Sequence, residues 1–112
     1  MDKDPKVFLE HVLDSIFLIN DYINGFSEQD FLTSVKLQDL ITRRLEIIGE
    51  AVKNIPNKIR EKYSDVEWKK IAGMRDYLIH VYFGIDLKLT WKVVERDLPI
   101  LKEKIEKILS EL

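Results

Sequence analysis

The 112-residue sequence predicts an all-α protein, an up-and-down bundle of four to five helices forming one domain over residues 1–112. Three observations carry that expectation. Apolar residues recur at helical spacing through every long segment. No stretch alternates apolar and polar residues with β-branched enrichment, so no strand is expected. Breakers at Asn24-Gly25, Pro56, Gly84 and Pro99 divide the chain into helix-length pieces.

Each element has its own local signal. Asp4-Pro5 forms an N-cap and first-turn pair. The first helix follows, with Val7, Phe8, Val12, Leu13, Ile16, Phe17, Ile19 and Ile23 as its apolar positions, until Asn24-Gly25. Ser27 and Asp30 open a short turn of helix around Phe31 and Leu32. A long helix begins near Ser34, carries the stripe Leu37, Leu40, Ile41, Leu45, Ile48 and Val52, and ends before Pro56. Asn57 to Tyr63 adds one or two turns. Ser64 and Glu67 have capping-box spacing ahead of a helix running from Trp68 to His80 or Tyr82, with Gly73 as a weak point. Asp86 caps the last segment, which Pro99 must kink or restart near Asp97.

Composition excludes several classes. The chain is 46% hydrophobic and 34% charged and has no cysteine, so disulfide frameworks, zinc ribbons and thiol nucleophiles fall away. The longest wholly apolar run is Ile16-Phe17-Leu18-Ile19, far short of the roughly 20 residues of a membrane helix. The Met1-Asp2-Lys3-Asp4 start is unlike a signal peptide. A soluble, cytoplasmic domain without a membrane partner is the expectation. Net charge is −2, but it is unevenly spread: Met1 to Pro56 carries −4 and Asn57 to Leu112 carries +2. Lys58 to Arg75 holds six basic and three acidic side chains, a local patch able to attract phosphates or simply a solvated face.

One segment carries chemistry: Met74-Arg75-Asp76-Tyr77-Leu78-Ile79-His80-Val81-Tyr82-Phe83. If it is one continuous helix, Tyr77, Val81, Met74, Leu78 and Ile71 face the bundle, at about 100° per residue. Arg75, Asp76, Ile79, His80 and Phe83 then share the opposite face. Two apolar groups there imply a covered surface, and apposing two copies in a symmetric dimer would cover it. Asp76 and His80, four apart, can hydrogen-bond on a helix. Arg75 can grip a phosphodiester with its planar fork, and His80 can move a proton at a ribose 2′-hydroxyl or a leaving 5′-oxygen. By residue type alone, His80 could equally be a helix-terminal histidine satisfied by Asp76 or a backbone carbonyl.

Residues Gly73 to Asp86, read with Leu45-Glu46-Ile47-Ile48-Gly49-Glu50-Ala51 and Asp97-Leu98-Pro99, resemble the HepT-type proteins of the HEPN superfamily. Their motif is Arg, a polar residue, three variable residues, His, any residue, Tyr. The resemblance implies a helical bundle that dimerises with both motifs lining a shared cleft. It also implies a metal-independent endoribonuclease toxin, needing no cofactor, that cleaves RNA (transfer RNA foremost). The partner would be a nucleotidyltransferase-type antitoxin that silences the toxin by adding AMP to the motif tyrosine. By position, Arg75 and His80 are catalytic, Asp76 supports them and Tyr82 takes the AMP. Asparagine is common where this chain has Asp76, and a carboxylate there adds negative charge beside the incoming phosphate. The other class of function is a non-catalytic helical partner that docks a nucleotidyltransferase.

Remaining candidates are weaker. Lys69 and Lys70 are possible RNA contacts within the basic stretch, where Tyr63 and Trp68 could stack on bases, although Tyr63, Trp68 and Trp91 read first as core anchors. His11, beside Glu10 and Asp14, reads as solvent-facing, and Arg43-Arg44 as a solvated face, with rimming the cleft as the alternative. Two distant histidines give no case for a metal site. Gly49 and Gly73 read as close helix contacts or local breaks.

Overall fold

A computed structural model describes residues 4–80 and 84–112, with Ile79 and His80 described by their backbone. Local capping chemistry starts the helices where the sequence places them. Asp4 accepts from the Lys6 amide at 2.9 Å and Pro5 opens α1 (Pro5–Ile23). Ser27 and Asp30 form a reciprocal capping box at α2 (Glu28–Thr33). Ser34 caps α3 (Val35–Lys53), which stops ahead of Pro56. After α4 (Asn57–Lys62), α5 (Trp68–Ala72) begins at the expected residue but without the expected Ser64–Glu67 box. Instead the Trp68 indole N–H donates to the Tyr63 carbonyl at 2.9 Å and ties the turn to the helix start.

The helix expected to run on to His80 or Tyr82 is broken. Gly73 separates α5 from α6 (Met74–Leu78), and Ile79–His80 leaves helical geometry to pair antiparallel with Gly84–Ile85. We label these two-residue strands β1 and β2; they are the structure's one departure from the all-α expectation among the described residues. Gly84 has φ +71°, a conformation that side-chain-bearing residues rarely adopt. The Asp86 amide then donates to the Leu78 carbonyl at 2.8 Å, and Asp86 caps α7 (Leu87–Lys92).

The chain continues from α7 through a π-helical turn, Val93–Asp97, into α8 (Leu98–Glu111). This is the disturbance expected of Pro99, whose ring and missing N–H conflict with a regular α-turn before it. The two 19-residue helices α1 and α3 pack along each other, α8 packs on α1, and α5 and α6 pack on α3. Leu9, Val12, Ile16 and Ile19 of α1 meet Ile41, Leu45, Ile48 and Val52 of α3 in a core completed by Phe31, Leu98, Ile105 and Ile108. Leu40 is half-buried at the edge of the α3 stripe. Phe17, expected on the buried stripe of α1, is 70% exposed, because the stripe actually runs through Leu9 and Ser15. No helix among the described residues is long and apolar enough to cross a membrane.

Candidate active site

Arg75 and Asp76 are set by how α6 docks. Met74 and Leu78 lie four apart on one side of its single turn and a half, and both are buried. That leaves Arg75 and Asp76 exposed. Gly49 fixes how closely this region approaches α3. A Cβ there would lie 3.1 Å from the Ile71 carbonyl oxygen and 3.3 Å from that of Ala72, so backbone meets backbone where the motif begins. Gly73 is the break itself, as its residue type suggests.

The broken helix changes the predicted face. Tyr77, expected in the core, is 38% exposed and lies under the Lys70 ammonium, 4.7 Å from its ring centroid. The helical phase assumed through Phe83 is interrupted at Gly73 and lost after Leu78, so a single wheel over the segment does not apply. Helical i,i+4 geometry therefore does not join Asp76 to His80, and Asp76 has no hydrogen-bond or ion-pair partner among the described residues. The backbone of His80 pairs with Gly84. The readings made for the His80 side chain, for Ile79 and Phe83 as a covered apolar pair, and for Tyr82 as the modified tyrosine lie outside the described residues.

Arg75 and Asp76 open onto a concavity of about 890 Å³ whose other walls come from α1, α3 and α5. Lys69 lines it from α5, Arg43, Glu46, Glu50 and Lys53 from α3, and Phe8 and His11 from α1. The small residues Gly49, Ala51, Ala72 and Gly73 also line it. His11, read from the sequence as solvent-facing, and Arg43, read as a solvated face or a rim of the cleft, are both exposed and both line the hollow that holds Arg75. Nothing in the local sequence around His11 signals that position.

The basic stretch divides once it folds. Arg60 donates to the Ile55 carbonyl at 3.0 Å and the Val52 carbonyl at 2.6 Å, satisfying the last turn of α3 and the chain just beyond it. Lys70 sits 3.8 Å from both Glu67 and Asp97. Partial burial pulls its pKa down, but Glu67, Tyr77 and Asp97 outweigh that and hold it above its ordinary value. Lys69 and Arg75 are the members of the stretch that line the concavity. Tyr63 and Trp68 are buried anchors and are not presented for stacking on bases. Trp91 is likewise buried, tilted against Phe31 at 5.5 Å.

Residues 12–108 match the family HepT-like, described as ribonuclease HepT-like. The chain belongs to this HEPN family. A protein of Caldanaerobacter subterraneus named "Putative RNase" is 43% identical over 97% of this chain and 97% of its own length. A "Probable ribonuclease HepT" of Thermococcus cleftensis is 44% identical over 96% of this chain and 98% of its own. A Methanocaldococcus jannaschii protein named "Gamma-glutamylcyclotransferase and putative RNase" is 56% identical over the whole chain, which spans half the length of that relative. No solved structure matches the chain.

Proposed function

We propose that this HepT-like chain is an endoribonuclease toxin that cleaves RNA without a metal, with Arg75 and His80 at a cleft shared by two copies. The observation that carries the reading is Arg75 itself. It is an exposed arginine with no ion-pair partner among the described residues, opening onto a hollow large enough for nucleotide units, in a chain of a ribonuclease family. An arginine left unpaired at such a place is free to grip a phosphodiester bidentately.

Transesterification suits this residue set because the nucleophile belongs to the substrate. His80 takes the 2′-hydroxyl proton, O2′ attacks phosphorus, and the P–O5′ bond breaks. A proton returned to O5′ leaves a 2′,3′-cyclic phosphate on one fragment and a 5′-hydroxyl on the other. Arg75 stabilises the charge gathering on the non-bridging oxygens. Asp76 supports the site from the next position, and its carboxylate, without an ion-pair partner among the described residues, opposes the incoming phosphate. Lys69 adds a cation on the α5 wall. Transfer RNA is the substrate class, Tyr82 the acceptor of AMP, and a nucleotidyltransferase-type antitoxin the partner that adds it. AMP on Tyr82 would silence the site by bulk and by neutralising Arg75.

One feature favours a second reading, a helical module that docks a nucleotidyltransferase without cutting RNA: Glu46 and Asp76, whose carboxylates have no ion-pair partner among the described residues, share the hollow with its cations. Cleavage of a transfer-RNA pool in EDTA by purified, unmodified chain separates the two. The expected result is cleavage leaving 2′,3′-cyclic phosphate ends, lost at least about a hundredfold in Arg75→Ala and in His80→Ala. No cleavage by folded, unmodified chain would favour the docking module.

A further inference from the structure

We propose that Arg43 of α3 and His11 of α1 form a second phosphate subsite, which holds the RNA strand beside the phosphodiester gripped by Arg75. The inference rests on the ribonuclease reading and names the residues that orient the substrate in that same hollow.

The charges lining the concavity divide into used and unused. Lys53 and Glu50 pair at 3.1 Å and cancel each other. Arg43, Lys69 and Arg75 have no ion-pair partner among the described residues, while Glu46 and Asp76 are the unpaired acids. The hollow therefore keeps a cationic excess in a chain whose net charge is −2. Two basic side chains of the Lys58–Arg75 stretch are employed elsewhere, Arg60 on two backbone carbonyls and Lys70 between Glu67 and Asp97. Unspent cations on separate walls of one cavity suit a polyanion better than a single small anion.

One arginine can hold one phosphate but cannot set the direction of a strand. A second grip at a distance can, and α3 carries Arg43 six residues, about 9 Å of helix rise, before Gly49, where α3 meets the Ile71 and Ala72 carbonyls next to the motif. Arginine at that point offers the same planar fork as Arg75. His11 joins it from α1. Its ring stands edge-on to Phe8, with centroids 6.4 Å apart and planes at 88°, and Phe8 packs against the core. That contact orients an exposed imidazole whose ring nitrogens can donate to phosphate oxygens or accept from a base edge.

The test is binding of a 2′-O-methyl RNA oligonucleotide, which has the phosphates but not the attacking hydroxyl, followed by fluorescence anisotropy across a salt titration. Arg43→Gln is expected to weaken binding about tenfold at low salt and to lower the slope of log K against log salt by about 0.7, the value for one single-strand phosphate contact. His11→Gln is expected to weaken binding severalfold. Lys107→Gln, on the exposed side of α8, should match the parent chain. Parent affinity and slope in both Arg43→Gln and His11→Gln, with Arg75→Ala impaired, would overturn the subsite and leave the ribonuclease reading standing. Failure of the folded parent chain to bind the oligonucleotide would overturn both.

Discussion

The Tyr63 hydroxyl donates to the Glu111 carboxylate, joining the end of α4 to the end of α8. The carboxylate accepting that bond holds the phenol above its ordinary 10.0, and burial and the carboxylate's charge act in the same direction. Above that pH the unfolded chain releases the proton while the native chain keeps it. Stability is therefore fully present below about pH 10 and falls as pH rises through the native pKa. Lys70, whose pKa is raised from 10.5, contributes with the same sign, since its native ammonium also keeps its proton longer. Denaturant midpoints should thus decline between about pH 9.5 and 11, and Tyr63→Phe should flatten Tyr63's share of the decline while leaving that of Lys70. An unchanged pH profile in Tyr63→Phe would show that the bond is not maintained in solution. Neither partner could be matched from sequence, because a residue's hydrogen bond to one 48 positions away depends on where two helix ends meet.

Among the elements, the strand pair beside the motif is the one most exposed to a single change. Gly84 at φ +71° opens β2 opposite His80, and Gly25 at φ +85° lies in the turn just after α1. Neither has a heavy atom within 4 Å of an added Cβ, so alanine at either place brings backbone strain and no clash. Each substitution should cost about 1 kcal/mol in a urea melt. RNA cleavage should fall severalfold further in Gly84→Ala than in Gly25→Ala, because only the former disturbs the backbone that carries His80. Equal activity in the two would separate the hairpin from catalysis. Asn24-Gly25 was legible as a break because glycine after asparagine is a local signal. The end of α6 at Leu78 was not, since Ile79 to Phe83 continues an apolar pattern that a helix could also accept.

For the whole molecule, the proposed cleft requires a second copy. Sedimentation at the concentrations that support cleavage should give twice the 13.3 kDa of one chain. A single-chain mass under those conditions would remove the shared cleft while leaving the Arg75 hollow as a site within one chain. That hollow belongs to this scale too, since it exists only where α1, α3, α5 and α6 converge.

The sequence by itself determined most helix starts and stops, the buried stripe of α3, the disturbance before Pro99 and the motif around Arg75. These depend on capping side chains, proline and glycine, whose effects reach only a few residues along the backbone. Only the tertiary structure decided that Lys69 faces the Arg75 hollow while Lys70 is engaged by Glu67 and Asp97, and that His11 and Arg43 share the hollow. Local periodicity tells which side of a helix is dry. Which solvated sides meet across a hollow depends on how the helices cross, and that is set by packing contacts such as Gly49 against the Ile71 and Ala72 carbonyls.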